Sequence, residues 1–258
     1  MQNNIFSGLF VGQNLVTLKE VDSTNNFLKN ILSNSKPVPE GTVIMAEAQY
    51  AGRGQQQNGW HAEPGKNLTF SLLLNPAFLP VLSQFDLNRV ISLGVYKALQ
   101  PNLGTALKIK WPNDIYYADK KLGGILIKNV VQGDKIKHAI IGIGINVNQV
   151  NFPPHVPNPA SIKQILHKDY DLRLLLSEIC SHIEAGYLKL KAGHIEALRE
   201  DYLNNLYWLN ETRNFQSNST IFAGIIKNVK PSGLLVVHKD GEDVTFNIKE
   251  IEFLNNNQ

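Results

Sequence analysis

The sequence is poor in features that define several large classes of protein. Its 258 residues include one cysteine, Cys180, which excludes an internal disulfide and a cysteine-based metal cluster. Leucine and isoleucine surround Cys180, so we expect a buried, inert thiol. No apolar run approaches the roughly 20 residues of a membrane-spanning helix, and the N-terminus lacks the basic start of a secretory signal. We therefore expect a cytoplasmic protein that does not enter a membrane.

Concentrated positive charge is also lacking. The formal net charge is +3, and the 25 lysines and arginines are scattered rather than gathered on one arm or helix. Proteins that bind nucleic acid through its phosphates need such a concentration. Only about fourteen residues precede the first predicted strand, too few for a helix-turn-helix domain. We therefore expect no binding to DNA.

The apolar pattern predicts an α+β protein with two parts. Short hairpin loops at Ala118–Lys120 and Gln132–Asp134 indicate a mixed, largely antiparallel sheet, against which helices pack. From about residue 212 short strands alternate with turns at Lys230–Gly233 and Lys239–Gly241, which predicts a small β-barrel. We therefore assign residues 1–210 to a large domain and residues 211–258 to a small one. The predicted strands are Thr42–Ala46, Leu68–Leu74, Leu107–Trp111, Gly124–Val131 and Ile136–Val147, and the predicted helices are Phe27–Leu32, Leu87–Leu99 and Leu172–Leu190.

The most informative stretch is Lys110-Trp111-Pro112-Asn113-Asp114, which is soon followed by Lys121-Leu122-Gly123-Gly124-Ile125-Leu126. It combines an aromatic ring, amide and carboxylate groups, glycines and several cations between apolar runs. A plain turn would need only the glycine and the aspartate. The surplus of polar chemistry indicates a binding or catalytic site.

A second candidate site is the loop Glu47–Trp60. Its glycines let the backbone approach a ligand, Arg53 supplies a permanent positive charge, and Trp60 offers a flat face to a ring. A solvated polar turn would have a similar composition, since Gly-x-Gly taken alone is a weak signal.

Two further motifs complete the set. In Asp22-Ser23-Thr24-Asn25 the hydroxyls and amide can line a polar ligand, although a helix N-cap alone would explain them. In Gly142-Ile143-Gly144-Ile145-Asn146 the alternating glycines leave one face of a strand bare, so that a planar group can lie against the backbone.

Taken together, these motifs resemble the biotin protein ligases, from about Leu15 to Leu254. The resemblance implies the class II synthetase-like catalytic fold of that family, with an SH3-like C-terminal barrel. It also implies a two-step activity in which ATP and biotin form biotinyl-5′-AMP and pyrophosphate, and a lysine of a biotin carboxyl carrier protein then takes the biotinyl group. ATP would act with magnesium, whose ligands the sequence does not identify. Monomer and homodimer both remain open.

The resemblance also implies roles for individual residues. Lys121, Arg53 and Asp114 match catalytic positions, with Lys121 and Arg53 neutralising the carboxylate and phosphate and Asp114 orienting the incoming amine. A structural role for Asp114, as partner of a backbone N–H, is an equal alternative. The biotin-binding set is Ser23, Thr24, Asn25, Gln49, Gly52, Arg53, Gly54, Gln55, Lys121 and Gly124. The ATP-binding set is Trp60, Lys110, Asn113, Gly142, Gly144 and Asn146.

One departure from the family concerns the loop. Many members carry a second arginine two residues after the first, whereas this chain continues from Gly54 with Gln55-Gln56-Gln57-Asn58. Positive charge over the phosphate is therefore reduced, and we expect the adenylate to be retained less tightly.

Two alternatives share parts of this pattern. Lipoate ligases and octanoyl transferases also modify a carrier lysine, but they are expected to carry an Arg-Arg-x-Ser-Gly-Gly-Gly loop that is absent here. A ligand-binding relative without chemistry would be expected to lose Lys121 or the Lys110–Asp114 motif, and both are intact.

Overall fold

The computed structural model describes residues 6–33, 37–54 and 59–254. Gln55–Asn58 and Asn255–Gln258 therefore lie outside the described residues. The strands are β1 (Leu15–Val21), β2 (Val43–Gln49), β3 (Leu68–Leu74), β4 (Leu107–Lys110), β5 (Asp114–Tyr117), β6 (Lys120–Gln132), β7 (Lys135–Ile145), β8 (Thr212–Ser217), β9 (Thr220–Val229), β10 (Leu235–Lys239), β11 (Glu242–Phe246) and β12 (Glu252–Leu254). The helices are α1 (Thr24–Leu32), α2 (Gln84–Leu103), α3 (Ile162–Leu166), α4 (Leu172–Lys191) and α5 (Ile195–Asn204).

The predicted mixed, largely antiparallel sheet is confirmed. In the described part of the chain, seven strands form one sheet in the order β1-β2-β3-β7-β6-β5-β4. Only β1 and β2 pair in parallel, while the remaining neighbours are antiparallel. The predicted hairpin loops at Ala118–Lys120 and Gln132–Asp134 lie where β5 turns into β6 and β6 into β7.

Several element boundaries differ from the predicted ones, and the differences place functional residues. Strand β6 begins at Lys120 rather than Gly124, so Lys121 lies on the sheet instead of in a loop. Strand β2 extends to Gln49, and α1 begins at Thr24. The side-chain carbonyl of Gln49 accepts a hydrogen bond from the Thr24 backbone N–H at 2.8 Å and so satisfies one of the free N–H groups at the start of α1, while the Ser23 hydroxyl makes no cap hydrogen bond.

The core lies between the large sheet and helices α2 and α4. Strand β3 is buried along its whole length, because β2 and β7 flank it and helices cover it. Helix α2 packs closely on α4, where Gly94 leaves room for Ile183. Cys180 lies in this core as predicted, and burial raises its pKa to about 12. Among the described helices, none combines the length and hydropathy needed to span a bilayer.

The C-terminal strands form a second, antiparallel sheet in the order β11-β10-β9-β8-β12. Buried Arg89 attaches this sheet to helix α2. It donates hydrogen bonds to the carbonyls of Val229 at 3.1 Å and Lys230 at 2.7 Å, and it forms an ion pair with Asp86 at 2.7 Å. Val229 ends β9 and Lys230 begins the following turn, so this one side chain ties the end of β9 to helix α2.

Replacing Arg89 with methionine is therefore expected to lower the free energy of unfolding by about 3 kcal/mol, because buried Asp86 and the strand-end carbonyls lose a charged partner. Lys163→Met provides the control, since Lys163 pairs with Asp169 at the surface and its loss should cost less than about 1 kcal/mol. Urea denaturation measures both. Equal destabilisation by the two substitutions would show that Arg89 does not hold the C-terminal sheet to α2.

Candidate active site

Most of the predicted site residues line one cavity of about 240 Å³ on the large sheet. The motifs that contribute to it lie far apart in sequence, and the sheet order brings them together because β3, β7 and β6 are neighbours. The cavity is lined by Ser23, Thr24, Asn25, Gln49, Arg53, Gly54, Gly59, Trp60, Thr69, Phe70, Asp114, Lys121, Gly124, Ile125, Leu126, Gly142, Ile143 and Gly144.

One end of the cavity is a buried polar network around Thr24. The Thr24 hydroxyl lies 3.1 Å from the side-chain carbonyl of Gln49 and 2.7 Å from the hydroxyl of Ser71 on β3. Ser71 also lies 2.6 Å from the side-chain carbonyl of Asn25, whose amide donates to the Leu126 carbonyl at 3.3 Å. Each amide therefore has a fixed orientation.

The glycines of β7 form the floor of the cavity. A Cβ atom on Gly142 would lie 2.6 Å from the Asn25 amide, and one on Gly144 would lie 2.4 Å from the indole of Trp60. Real Cβ atoms do not approach neighbours that closely, so any side chain here would displace Asn25 or Trp60. The indole N–H of Trp60 is buried and has no hydrogen-bond partner among the described residues, which leaves it available to a ligand.

The charged part of the cavity holds Lys121 and Asp114. Their side chains form an ion pair with an N–O distance of 2.6 Å, and both are partly exposed to the cavity. The backbone of Lys121 is fixed from the other side, because its N–H donates to Asn158 and its carbonyl accepts from Ala160. A flexible side chain on a fixed backbone can transfer its contact from Asp114 to an anionic ligand.

Arg53 lies elsewhere on the rim. The pKa of Asp22 is lowered mainly by a hydrogen bond from Asn26 and to a smaller extent by the charge of Arg53. The pKa of Lys128 is lowered mainly by burial and to a smaller extent by the same charge. Among the described residues Arg53 forms no salt bridge. Its guanidinium is therefore available to an anion.

Three residues predicted to bind ATP do not line the cavity. Buried Asn113 donates to the side chain of Asn88 at 3.0 Å and to the Ile125 carbonyl at 3.1 Å. Buried Asn146 donates to the Ala160 carbonyl at 3.0 Å. These contacts are structural, so a contact of either amide with adenine stays a prediction.

Lys110 is the third, and it links the two sheets. Its ammonium lies 4.7 Å from the ring centroid of Tyr116 and 5.0 Å from that of Phe253 on β12. It donates a hydrogen bond to the Tyr116 hydroxyl at 3.2 Å. Burial lowers its pKa to about 8, so that charged Lys110 depends on the aromatic rings and on nearby Asp114.

Gly52 does not line the cavity, but a Cβ atom there would lie 2.4 Å from the Trp60 carbonyl, so Gly52 permits the loop to close on itself. Gln55 lies outside the described residues, so its role in binding biotin stays a prediction.

The sequence did not reveal the role of Ser71, which lies directly beneath the lining residues Thr24 and Asn25. A serine within the apolar run of β3 carries no local signal of function, and its importance follows only from the register that places it opposite Gly142. Thr69, Phe70 and Ile143 were missed for the same reason. Within residues 6–33, 37–54 and 59–254, no three histidine, cysteine, aspartate or glutamate side chains form a group that could hold a metal ion.

The arrangement combines a neutral polar end, a bare floor beneath an indole, and an ammonium group paired with a carboxylate. It can hold a ligand with a polar ring at one end and an anionic group at Lys121. Developing negative charge on that group would be stabilised electrostatically.

The chain matches a family of known proteins and is similar to individual members of it. The model of the biotin/lipoate A/B protein ligase family matches residues 18–146, half of the chain. The bifunctional ligase/repressor BirA of Bacillus subtilis is 33% identical over 180 residues, which cover 69% of this chain and 54% of that protein. The biotin--[acetyl-CoA-carboxylase] ligase of Paracoccus denitrificans is 26% identical over 85% of this chain and 92% of its own length. This chain thus spans about half the length of the Bacillus relative.

A solved structure resembles the fold over almost its whole length. The biotin protein ligase from Aquifex aeolicus in complex with biotin and ATP has a TM-score of 0.77 and 29% sequence identity. The match covers 93% of this chain and 98% of that one. The similarity therefore includes the C-terminal sheet as well as the region that the family model matches.

The bare face of β7 can be tested directly. Gly144→Ala is expected to push the indole of Trp60 out of the cavity, because the added methyl would lie 2.4 Å from the ring. Acrylamide quenching of Trp60 fluorescence, isolated by subtracting the Trp60→Phe protein, should increase. Gly142→Ala is the control, since its methyl meets Asn25 instead and should leave Trp60 unaffected. Unchanged quenching in Gly144→Ala would contradict the described packing.

Proposed function

Because the chain belongs to the biotin/lipoate A/B protein ligase family, we propose that it is an ATP-dependent biotin–protein ligase. The observation that carries the proposal is the coexistence, in one cavity, of the Thr24–Gln49 polar network with the Lys121–Asp114 pair. The Thr24–Gln49 network can satisfy the N–H donors and the carbonyl acceptor of a cyclic urea. The Lys121–Asp114 pair suits a carboxylate on a flexible chain.

In the first step a biotin carboxylate oxygen attacks the α-phosphorus of ATP. A P–O bond forms, the bond to pyrophosphate breaks, and biotinyl-5′-AMP remains. Both reactants are anions, so their approach requires cations, and Lys121 and Arg53 are the residues that we assign to that role. ATP would bring magnesium bound to its own phosphate oxygens, as is common for this ion. The scarcity of clustered carboxylates among the described residues fits that arrangement.

In the second step the amine of a carrier lysine attacks the carbonyl carbon of the adenylate. A C–N bond forms, the bond to AMP breaks, and the amine loses a proton. Asp114 can accept this proton or orient the amine, because adenylate binding would draw Lys121 away from it. The acceptor would be a biotin carboxyl carrier protein or domain of a biotin-dependent carboxylase. Trp60 above Gly144 is our candidate for covering the adenine.

Lys121→Met is expected to lower the rate of biotin-dependent pyrophosphate release by about 10²–10³, because a preorganised cation at the developing charge is lost. Lys120→Met is the matched control, since the neighbouring Lys120 is exposed and should be dispensable. A coupled pyrophosphate assay with ATP and either biotin or lipoate measures the rate. A near wild-type rate of pyrophosphate release by Lys121→Met would show that Lys121 is not the cation on which the reaction depends. A higher rate with lipoate than with biotin would show that biotin is not the substrate.

The glutamine run generates a separate prediction. Gln55 offers a neutral donor where many family members have an arginine, and charge-assisted hydrogen bonds are roughly twice as strong as neutral ones. Gln55→Arg is therefore expected to slow release of preformed biotinyl-5′-AMP about tenfold, equivalent to ~1.4 kcal/mol. Stopped-flow release at one ionic strength provides the measurement, with Gln55→Met as the uncharged control. Equal release rates in all three proteins would show that residue 55 does not affect retention.

A further inference from the structure

Ser71 is a fully buried serine that contacts two of the cavity residues at once. Its hydroxyl lies 2.7 Å from that of Thr24 and 2.6 Å from the side-chain carbonyl of Asn25. Strand pairing places Ser71 opposite Gly142, the glycine that leaves room for Asn25. Ser71 thus lies beneath the polar end of the cavity without lining it.

The number of protons that each group can donate fixes the direction of the hydrogen bonds in this network. The Leu126 carbonyl only accepts, so Asn25 must turn its NH₂ group towards Leu126 and its oxygen towards Ser71. That oxygen also only accepts, and the single hydroxyl proton of Ser71 must be donated to it. The contact of 2.7 Å between the two hydroxyls is then a hydrogen bond that Thr24 donates to Ser71.

Thr24 consequently has no proton left for a ligand. If it donates instead to Gln49 at 3.1 Å, the result is the same, because its single proton still goes to a protein oxygen. Towards the cavity the Thr24 hydroxyl can only accept. The neighbouring Ser23 hydroxyl makes no cap hydrogen bond and lines the cavity, and so it can donate to a ligand carbonyl.

We propose that Ser71 is a positioning residue that holds the Thr24 hydroxyl as an acceptor towards the cavity and thereby selects a ligand head group with an N–H beside a C=O. This inference rests on the proposed function and deepens it. A cyclic urea meets the requirement, because its N–H can donate to Thr24 and its carbonyl can accept from Ser23. A dithiolane or an alkyl chain has no N–H and would leave the buried acceptor unpaired, which is costly.

The test is a double-mutant cycle on the full chain, with calorimetric titration of biotin as the main measurement. Ser71→Ala is expected to raise the biotin Kd about tenfold or more, because the orientation of Thr24 and Asn25 is lost. In a Thr24→Val background the same substitution should have a much smaller effect, since Ser71 acts through Thr24. Ser92→Ala is the control, because Ser92 is another fully buried serine, on α2, and its hydroxyl has no partner among the described residues.

Kinetics separate positioning from a general structural role. We expect Ser71→Ala to raise the biotin KM while leaving kcat, the ATP KM and the thermal midpoint close to those of Ser92→Ala. An unchanged biotin Kd, or an equal factor in both Thr24 backgrounds, would overturn the inference. Ser71-dependent biotin binding without pyrophosphate release would instead overturn the proposed ligase function and leave the inference standing.

Discussion

The candidate site depends on two glycines that leave one face of β7 without side chains. Gly142 and Gly144 face the cavity from β7, and the space they leave is taken by Asn25 from one direction and Trp60 from another. If either position held a Cβ atom, the helix that carries Asn25 or the loop that carries Trp60 would have to move. The polar end and the indole cover are therefore consequences of the same constraint, which is set by backbone approach and not by any single hydrogen bond.

The C-terminal sheet is attached to the same region. The indole N–H of Trp111 donates to the Gly233 carbonyl at 2.9 Å, and Lys110 lies against Phe253. Both residues belong to the motif that ends in Asp114. Two conspicuous members of that motif thus hold the second sheet, while Asp114 faces the cavity.

The sequence pattern predicted the sheet class, the two main amphipathic helices and the convergence of the four motifs, because apolar periodicity and glycine placement are local signals. It did not reveal the role of Ser71, which depends on strand register. It also did not reveal the interior partners of Asn113 and Asn146, both of which donate to backbone carbonyls. Contact of these amides with adenine stays a prediction. A pattern shows that a polar residue is present, but its partner is fixed only by the tertiary fold.

We propose that this cavity activates the biotin carboxylate for transfer to a carrier lysine. The most direct measurement is the intact mass of a biotin carboxyl carrier domain after incubation with the protein, ATP and biotin, followed by peptide mapping. The account predicts addition of one biotinyl group to one lysine, dependent on both ATP and biotin. A carrier domain that stays unmodified while a known biotin protein ligase modifies it in parallel would contradict the account.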